Sequence, residues 1–199
     1  MLSILIPTVI DRQTIFSQLH NELLQQAAPF GDSIEVLFLT DDRSMSIGEK
    51  RNKLYSMASK KYSVQWDDDD WIHPRGIEIL MSALHEDIDC ITYKWFCYFN
   101  PVIEHRVFNC KYTEVKDNVD GYNKVGPPSP KCVIKTDLAR KVKFPNIRFG
   151  EDGHFEKEIQ QHIKTSTHID DFIYYYMDRC NEGRGPERYG LKEFPKGIN

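Results

Sequence analysis

The sequence has no apolar run close to the roughly 20 residues that a bilayer-crossing helix needs, so a membrane-spanning helix is not expected. It has no basic excess: 26 Lys and Arg stand against 30 Asp and Glu, a formal net charge of −4. That balance disfavours a nucleic-acid binder, although a local basic groove fits within it. Cysteine is sparse and odd in number: Cys90, Cys97, Cys110, Cys132 and Cys180 form no C-x-x-C pair. A disulfide framework or a zinc site is therefore not expected, and the thiols read as reduced, in a cytoplasm. The start, Met1-Leu2-Ser3-Ile4-Leu5-Ile6-Pro7, has neither a basic leader nor a small-residue cleavage site and reads as a first strand. No glycine-rich, basic phosphate loop follows it; Pro7-Thr8-Val9-Ile10-Asp11 does, which counts against a nucleotidyltransferase. Repeats, low-complexity segments and linkers are also missing, so one domain is expected.

The most unusual stretch present is Trp66-Asp67-Asp68-Asp69-Asp70-Trp71. It follows an apolar run over residues 62–66 that reads as a buried strand, and it precedes a helix-like segment over residues 75–85. A strand-to-helix turn at the carboxyl edge of an α/β sheet is where ligands bind. Four adjacent carboxylates repel one another unless positive charge sits among them. A hard divalent cation such as Mg²⁺, Mn²⁺ or Ca²⁺ is the simplest candidate. Most acidic runs are solvated loops; a short run abutting a strand and flanked by two indoles is unlike those.

The rest of the chain alternates strand and helix. Residues 2–6 form a buried strand ended by Pro7-Thr8. Asp11 caps a helix whose stripe is Ile15, Phe16, Leu19 and Leu23, broken at Pro29-Phe30-Gly31-Asp32. Residues 34–39 form the second strand. Ser46-x-x-Glu49 is a capping box opening a helix with Ile47, Leu54, Met57 and Ala58 on one side. This order implies right-handed crossovers and a mostly parallel sheet. Residues 88–99 and 102–108 suggest a hairpin around Asn100-Pro101, and residues 121–130 a loop. A short strand at 132–134, a brief helix capped by Thr136, a helix over 153–162 and a strand over 168–177 follow. Residues 178–199 read as an extended tail.

Several residues are candidates for chemistry. Asp67, Asp69 and Asp70 could share a metal with a phosphorylated substrate, because Mg²⁺-like ions take one or two protein carboxylates and complete their shell with phosphate and water. Asp41 and Asp42 end the second strand and could accept hydrogen bonds from a base or ribose; Asp-Asp-Arg-Ser is equally ordinary turn composition. Arg51 could hold phosphate oxygens, yet among Lys50, Lys53, Lys60 and Lys61 it reads as exposed helix surface. Glu151-Asp152 could supply a general base or simply favour a helix N-terminus. His73, His154 and His168 have no metal-ligand spacing.

Together these segments resemble family 2 of the glycosyltransferases, with its nucleotide-sugar-binding GT-A fold. Residues 3–8 resemble that family's first strand and loop; Thr40-Asp41-Asp42-Arg43-Ser44 its D-D-x-S strand end; Gly48-Glu49-Lys50-Arg51-Asn52 its G-x-x-R-N helix start. Asp67-x-Asp69-Asp70-x-x-x-Pro74 resembles D-x-D-D-x-x-x-P, and Gly150-Glu151-Asp152-x-x-Phe155 resembles G-E-D-x-x-F. The resemblance implies a single α/β domain over residues 1–177, a mostly parallel twisted sheet flanked by helices. Residues 1–95 would be the nucleotide-sugar half, and 96–177 the acceptor and catalytic-base half. It implies that Thr8, Asp41, Asp42, Arg51, Asp67 and Asp68 contact the donor nucleotide. Asp69 with Asp67 would hold Mn²⁺ or Mg²⁺, and Asp152, beside Glu151, would be the general base of an inverting transfer from a nucleotide-diphosphate sugar to a hydroxyl. The acceptor, a glycan, lipid-linked sugar or other alcohol, is not specified. No Q-x-x-R-W follows the base, so a non-processive enzyme is implied; Arg179 and Arg184 are loose candidates for phosphate contact. A nucleotidyltransferase and a non-catalytic nucleotide- or sugar-binding module are the alternatives.

Overall fold

The computed structural model describes residues 1–85, 87–99 and 102–177. The Asn100-Pro101 turn, Arg179, Arg184 and the rest of 178–199 lie outside the described residues. Strand β1 (Leu2–Val9) is buried along nearly its whole length because it is central: β2 (Ile34–Asp41) pairs with it in parallel on one edge and β3 (Tyr62–Gln65) on the other. Pro7 does not end β1 as expected. Leu5 O accepts from Trp66 N on the β3 side. Successive residues of a strand face opposite neighbours, so Pro7 faces that side too, beyond the last β1–β3 pair at Leu5 and Gln65. Its missing N–H therefore interrupts no ladder.

Beyond β3 the sheet becomes mixed. Short β9 (Val133–Lys135) lies antiparallel between β3 and β5 (Cys90–Phe99), so β5 runs the same way as β1 to β3. β10 (Ser166–Met177) is parallel to β5 on its other edge and carries the two-residue β4 (Trp71–Ile72). The long strands thus point one way. The β5 hairpin with β6 (Val102–Phe108) is present. Residues 121–130 are not simply a loop: β7 (Lys116–Val119) and β8 (Tyr122–Gly126) form a further hairpin, with β8 parallel to β6. Its turn is Asp120-Gly121, both at positive φ (54° and 81°), the dipeptide that two-residue hairpin turns favour.

Helix α1 (Gln13–Ala27) buries Phe16, Leu19 and Leu23 but not Ile15, and packs on α3 (Gly76–Ala83). Asp11 does not cap it. It sits in a 3₁₀ turn and pairs with Arg43 at 2.6 Å. Helix α2 (Ile47–Met57) has the expected cap, with Glu49 N donating to Ser46 Oγ at 3.1 Å. Its inward face is unexpected. Leu54 and Ala58 are buried and Met57 is exposed, while Lys50 and Arg51 go inside, 3% and 2% exposed. After the short α4 (Thr136–Ala139), helix α5 opens at Glu151 and runs to Ile159.

Helix α2 also fixes the segment that leads into α5. Asn52 Nδ2 donates to Phe144 O at 2.9 Å, and Asn52 Oδ1 accepts from Phe144 N at 3.0 Å. Phe144 stacks on Phe155 of α5, ring centroids 4.9 Å apart. Gly48 lies so close to this segment that an added Cβ would stand 1.9 Å from Pro145 O. Backbone on both sides leaves no flexible group to yield. Gly48→Ala is therefore expected to cost about 1–3 kcal/mol of stability by overpacking. Urea unfolding checks this, and a variant within about 0.5 kcal/mol of wild type, the range of neutral surface changes, would contradict the tight contact.

Candidate functional site

Strands β1, β2 and β3 end on one edge, and a cavity of about 450 Å³ opens there. Thr8, Asp67, Asp68, Asp69, Glu151 and Asp152 all line it. The aspartate quartet and the acid pair of α5, far apart in sequence, thus share one cleft. Trp95, Phe108, Tyr176 and Arg106, from strands β5, β6 and β10, also line it.

The quartet's charge is balanced differently from the expectation. Protein cations sit among the carboxylates. Asp67 Oδ1 accepts from Arg51 Nη2 and Oδ2 pairs with Lys131 Nζ, both at 2.9 Å. Asp68 Oδ2 accepts from Thr8 Oγ1 and Oδ1 from Arg12 Nη1, both at 2.8 Å. Arg12 also lies 3.2 Å from Asp69 Oδ2. Asp70 points away from the cleft: it accepts from the Tyr174 hydroxyl and, at 2.9 Å, from Met177 N. Burial, followed by the charge of Asp67, pushes its pKa up to about 7. Burial would raise Asp67 too, but Lys131 and Arg51 outweigh it and hold the carboxyl well below its usual range. Among the described residues no group of three or more His, Cys, Asp or Glu side chains is arranged to hold a metal. Asp69, paired with Arg12, places a hard carboxylate on the cavity wall. That suits an ion arriving with a diphosphate better than a preformed all-protein cage.

Arg51 is the hub, and reading it as exposed surface is corrected by its partners. Its Nε donates to Glu151 Oε1 at 3.2 Å and lies 3.4 Å from Asp152 Oδ1; Nη1 donates to Gln65 Oε1 at 3.1 Å. A fork of five donors can serve four acceptors at once, which an ammonium cannot. Burial opposes its charge, but Asp152, Asp67 and Glu151 prevail and raise its pKa. Of the two acids that open α5, Glu151 is the more buried. Its burial, then the charge of Asp152, raises its pKa. The Asp152 side chain is 33% exposed and its Oδ1 has no hydrogen-bond partner.

Two cations of the site, Lys131 and Arg12, are not among the residues that the sequence singles out. Lys131 is 4% exposed and bridges the two acidic elements, pairing with Asp67 and, at 3.3 Å, with Asp152 Oδ2. It is delivered by residues 127–130, Pro-Pro-Ser-Pro, which are buried under the site. Pro130 O accepts from Gln65 N at 3.0 Å, and Lys131 N donates to Ser129 Oγ at 3.2 Å. No local signal marks this lysine beyond its place after a proline cluster.

The structure does not bring the two acids at the end of β2 into the cavity wall. Asp41 is buried as the partner of Lys50 Nζ and of Met45 N (2.7 Å). Lys50 in turn donates to Thr8 O at 2.6 Å and so ties the ends of β1 and β2 together. Asp42 is exposed and accepts from Ser44 N at 3.2 Å, next to Arg43, which does line the cavity.

No protein-family model matches the sequence, and no curated protein matches it. Solved structures do. A crystal structure of S. aureus TarS aligns with a TM-score of 0.67 at 17% identity over 88% of this chain and 36% of that one. TarS 1-349 in complex with UDP aligns with a TM-score of 0.67 at 16% identity, over 94% of this chain and 62% of that one. TarS 1-349 in complex with UDP-GlcNAc gives 0.64 at 17% identity, over 94% and 63%. The chain thus spans less than two thirds of the length of these neighbours. Such a likeness shows the fold: a single α/β domain of the GT-A-like kind, its long strands mostly parallel and flanked by helices.

Proposed function

We propose that the chain is a nucleotide-sugar-dependent glycosyltransferase, inverting and non-processive, that moves a sugar from a nucleotide diphosphate to an acceptor hydroxyl. The observation that carries this reading is the shared cavity, with Asp67 to Asp69 at the strand ends and Asp152 on α5. Asp69 is the proposed direct ligand for Mg²⁺ or Mn²⁺. Asp67, engaged by Arg51 and Lys131, assists by exchanging an ion pair or through water. When bound, such an ion neutralises charge growing on the departing diphosphate. The chain's own share is positional. Thr8 and Asp68 hold one another at the end of β1, Arg12 adds positive charge beside Asp68 and Asp69, and Asp42 is the remaining candidate for a base contact. Lys131 and Arg51 fix the Asp152 carboxylate, which takes the proton from the acceptor hydroxyl. Charge fixed in place before the reaction costs no reorganisation in the transition state, which is why such sites accelerate transfer. UDP and UDP-GlcNAc, seen with TarS, are the first donors to try. No helix of the described residues is long and apolar enough to cross a membrane, and free Cys90, Cys97, Cys110 and Cys132 suit a reducing cytoplasm.

A thermal-shift panel of nucleoside diphosphates and nucleotide sugars, with and without Mn²⁺, tests this. A ligand at 100 times its Kd stabilises by about 2.7 kcal/mol, roughly 5–10 °C for a chain this long. Asp69→Ala should lose the Mn²⁺-dependent part of that shift while its unliganded melting point stays near wild type. A full Mn²⁺ increment in that variant would remove Asp69 from the metal assignment. Release of nucleoside diphosphate, not pyrophosphate, on turnover separates this reading from nucleotidyl transfer.

A further inference from the structure

Glu156 lies four residues after Asp152 on α5, and its side chain lines the same cavity. Residues at i and i+4 of a helix are neighbours, about 5–6 Å apart at Cβ. Transfer by a metal and a single base gives Glu156 no part. It also differs from every other acid of the cavity wall. Asp67, Asp68, Asp69, Glu151 and Asp152 each have an Arg or Lys within ion-pair distance. Among the described residues Glu156 has none, and none of them donates a hydrogen bond to it. The groups that act on it are Asp152 from its own helix and Lys131 from the proline-rich segment; Arg106 of β6 and Tyr176 of β10 also line the cavity. Burial, then the charge of Asp152, pushes its pKa up to about 8, with Lys131 pulling the other way. At neutral pH the carboxyl is therefore protonated and has a hydrogen to donate. A half-buried neutral acid beside Asp152, which is ion-paired to Arg51 and Lys131, divides their roles: one carboxyl takes a proton, the other donates a hydrogen bond.

We propose that Glu156 is an acceptor-binding residue, donating a hydrogen bond to an oxygen adjacent to the hydroxyl that Asp152 activates. This rests on the transferase reading above and deepens it. Two neighbouring carboxyls select an acceptor with two neighbouring oxygens, a vicinal diol of a sugar ring or polyol, over an isolated alcohol. The aromatic wall fits the same ligand. Trp95 and Phe108, largely buried with ring centroids 4.3 Å apart, and Tyr176 line the cavity and give it an apolar stretch suited to the C–H face of a sugar.

The test compares wild type, Glu156→Gln and Glu156→Ala. The amide keeps a donor and stays neutral at every pH. At pH 7 the Gln variant should hold acceptor KM within about twofold of wild type, whereas Ala should raise it tenfold or more and leave donor KM in place. In wild type, kcat/KM for the acceptor should fall above pH 8 as Glu156 ionises, and this limb should vanish in the Gln variant. An unchanged acceptor KM in Glu156→Ala, or an alkaline limb that survives in Glu156→Gln, overturns the proposal. A second measurement does not need turnover. In protein labelled with ¹³C at glutamate carboxyls, the Glu156 resonance is the one missing from the Gln variant. It should titrate near pH 8 and move when glycerol or a methyl hexoside is added with UDP, but not with UDP alone. If no nucleotide sugar is turned over, the transferase reading fails by itself. A Glu156 resonance that ignores both polyols, or responds equally to UDP alone, overturns the acceptor-binding role.

Discussion

On the proposed transferase reading, Asp152→Asn is expected to lower transfer to the acceptor hydroxyl about 10³-fold while nucleotide and Mn²⁺ still bind. General-base catalysis contributes about 10²–10⁴-fold, and a 10³-fold loss is about 4 kcal/mol of transition-state stabilisation. The substitution is chosen because the amide is nearly isosteric and retains an oxygen to accept from Lys131, now 3.3 Å from Asp152 Oδ2, or from Arg51, 3.4 Å from Oδ1. Its nitrogen cannot take a proton. The orphaned Oδ1 sharpens the expectation. A buried carboxylate oxygen without a hydrogen-bond donor is costly in a purely structural role, but it is what an incoming O–H requires. Single-turnover rates with saturating donor, together with thermal shifts, separate loss of chemistry from loss of binding. Transfer at the wild-type rate would move the base elsewhere, with Glu151 and Glu156 next to examine. Binding without transfer in both proteins would favour a non-catalytic module.

The first half of the fold was legible because local pattern and tertiary role agree there. Residues 2–6, 34–39 and 62–65 are largely apolar runs that all form strands; β1 and β3 are buried as expected, whereas 34–39 is not a buried strand, because β2 lies at the sheet edge, half-buried with Phe38 exposed. The Ser46 cap is written in a few adjacent residues, whereas α5 begins at Glu151, two residues before the expected 153, and ends at Ile159. The acids facing the cavity were also legible, since a carboxylate run between a strand and two indoles has few structural uses. What stayed hidden depends on partners distant in sequence. Arg51 looks like one more cation on a Lys-rich helix. Only when Gln65, Asp67, Glu151 and Asp152 converge on it is its burial compensated. Lys131 and Lys50 follow the same rule, a buried cation being defined by acids that the chain supplies elsewhere, and half-buried Arg12 is likewise placed by Asp68 and Asp69. The quartet's repulsion was real, and the protein answers it largely with its own arginines and lysine, Asp69 included through Arg12. The β7–β8 hairpin is different. Its Asp120-Gly121 signal was present and was outweighed by the nearby prolines, which lie past the end of β8 and shape the segment that delivers Lys131.

Arg51→Met should destabilise the domain by about 3–5 kcal/mol, the usual cost of removing one partner from a buried ion network, or on the order of 10 °C in melting temperature. Methionine fills much of the volume, so the loss is electrostatic. Gln65, Asp67, Glu151 and Asp152 each lose a donor or an ion pair, and Lys131 alone is left to balance three acids. The pH dependence identifies the cause. In wild type Asp67 is held below its unfolded pKa, so its contribution is present above roughly pH 4 and is lost as pH falls through the folded value. Without Arg51, the folded pKa of Glu151, already above its unfolded value in wild type, rises further, and that of Asp67 rises with only Lys131 left to hold it down. Relative to wild type, each then costs stability as pH rises. The deficit of Arg51→Met relative to wild type is therefore larger at pH 8 than at pH 5, where the stranded carboxylates take up protons. Arg51→Lys should recover less than half of the loss, since one ammonium cannot reach four acceptors on three sides. Urea unfolding of the three proteins at both pH values decides the matter. A deficit below 1 kcal/mol, or one equal at pH 5 and pH 8, would mean that Arg51 is not the charge that holds the aspartate turn to the helix of the base.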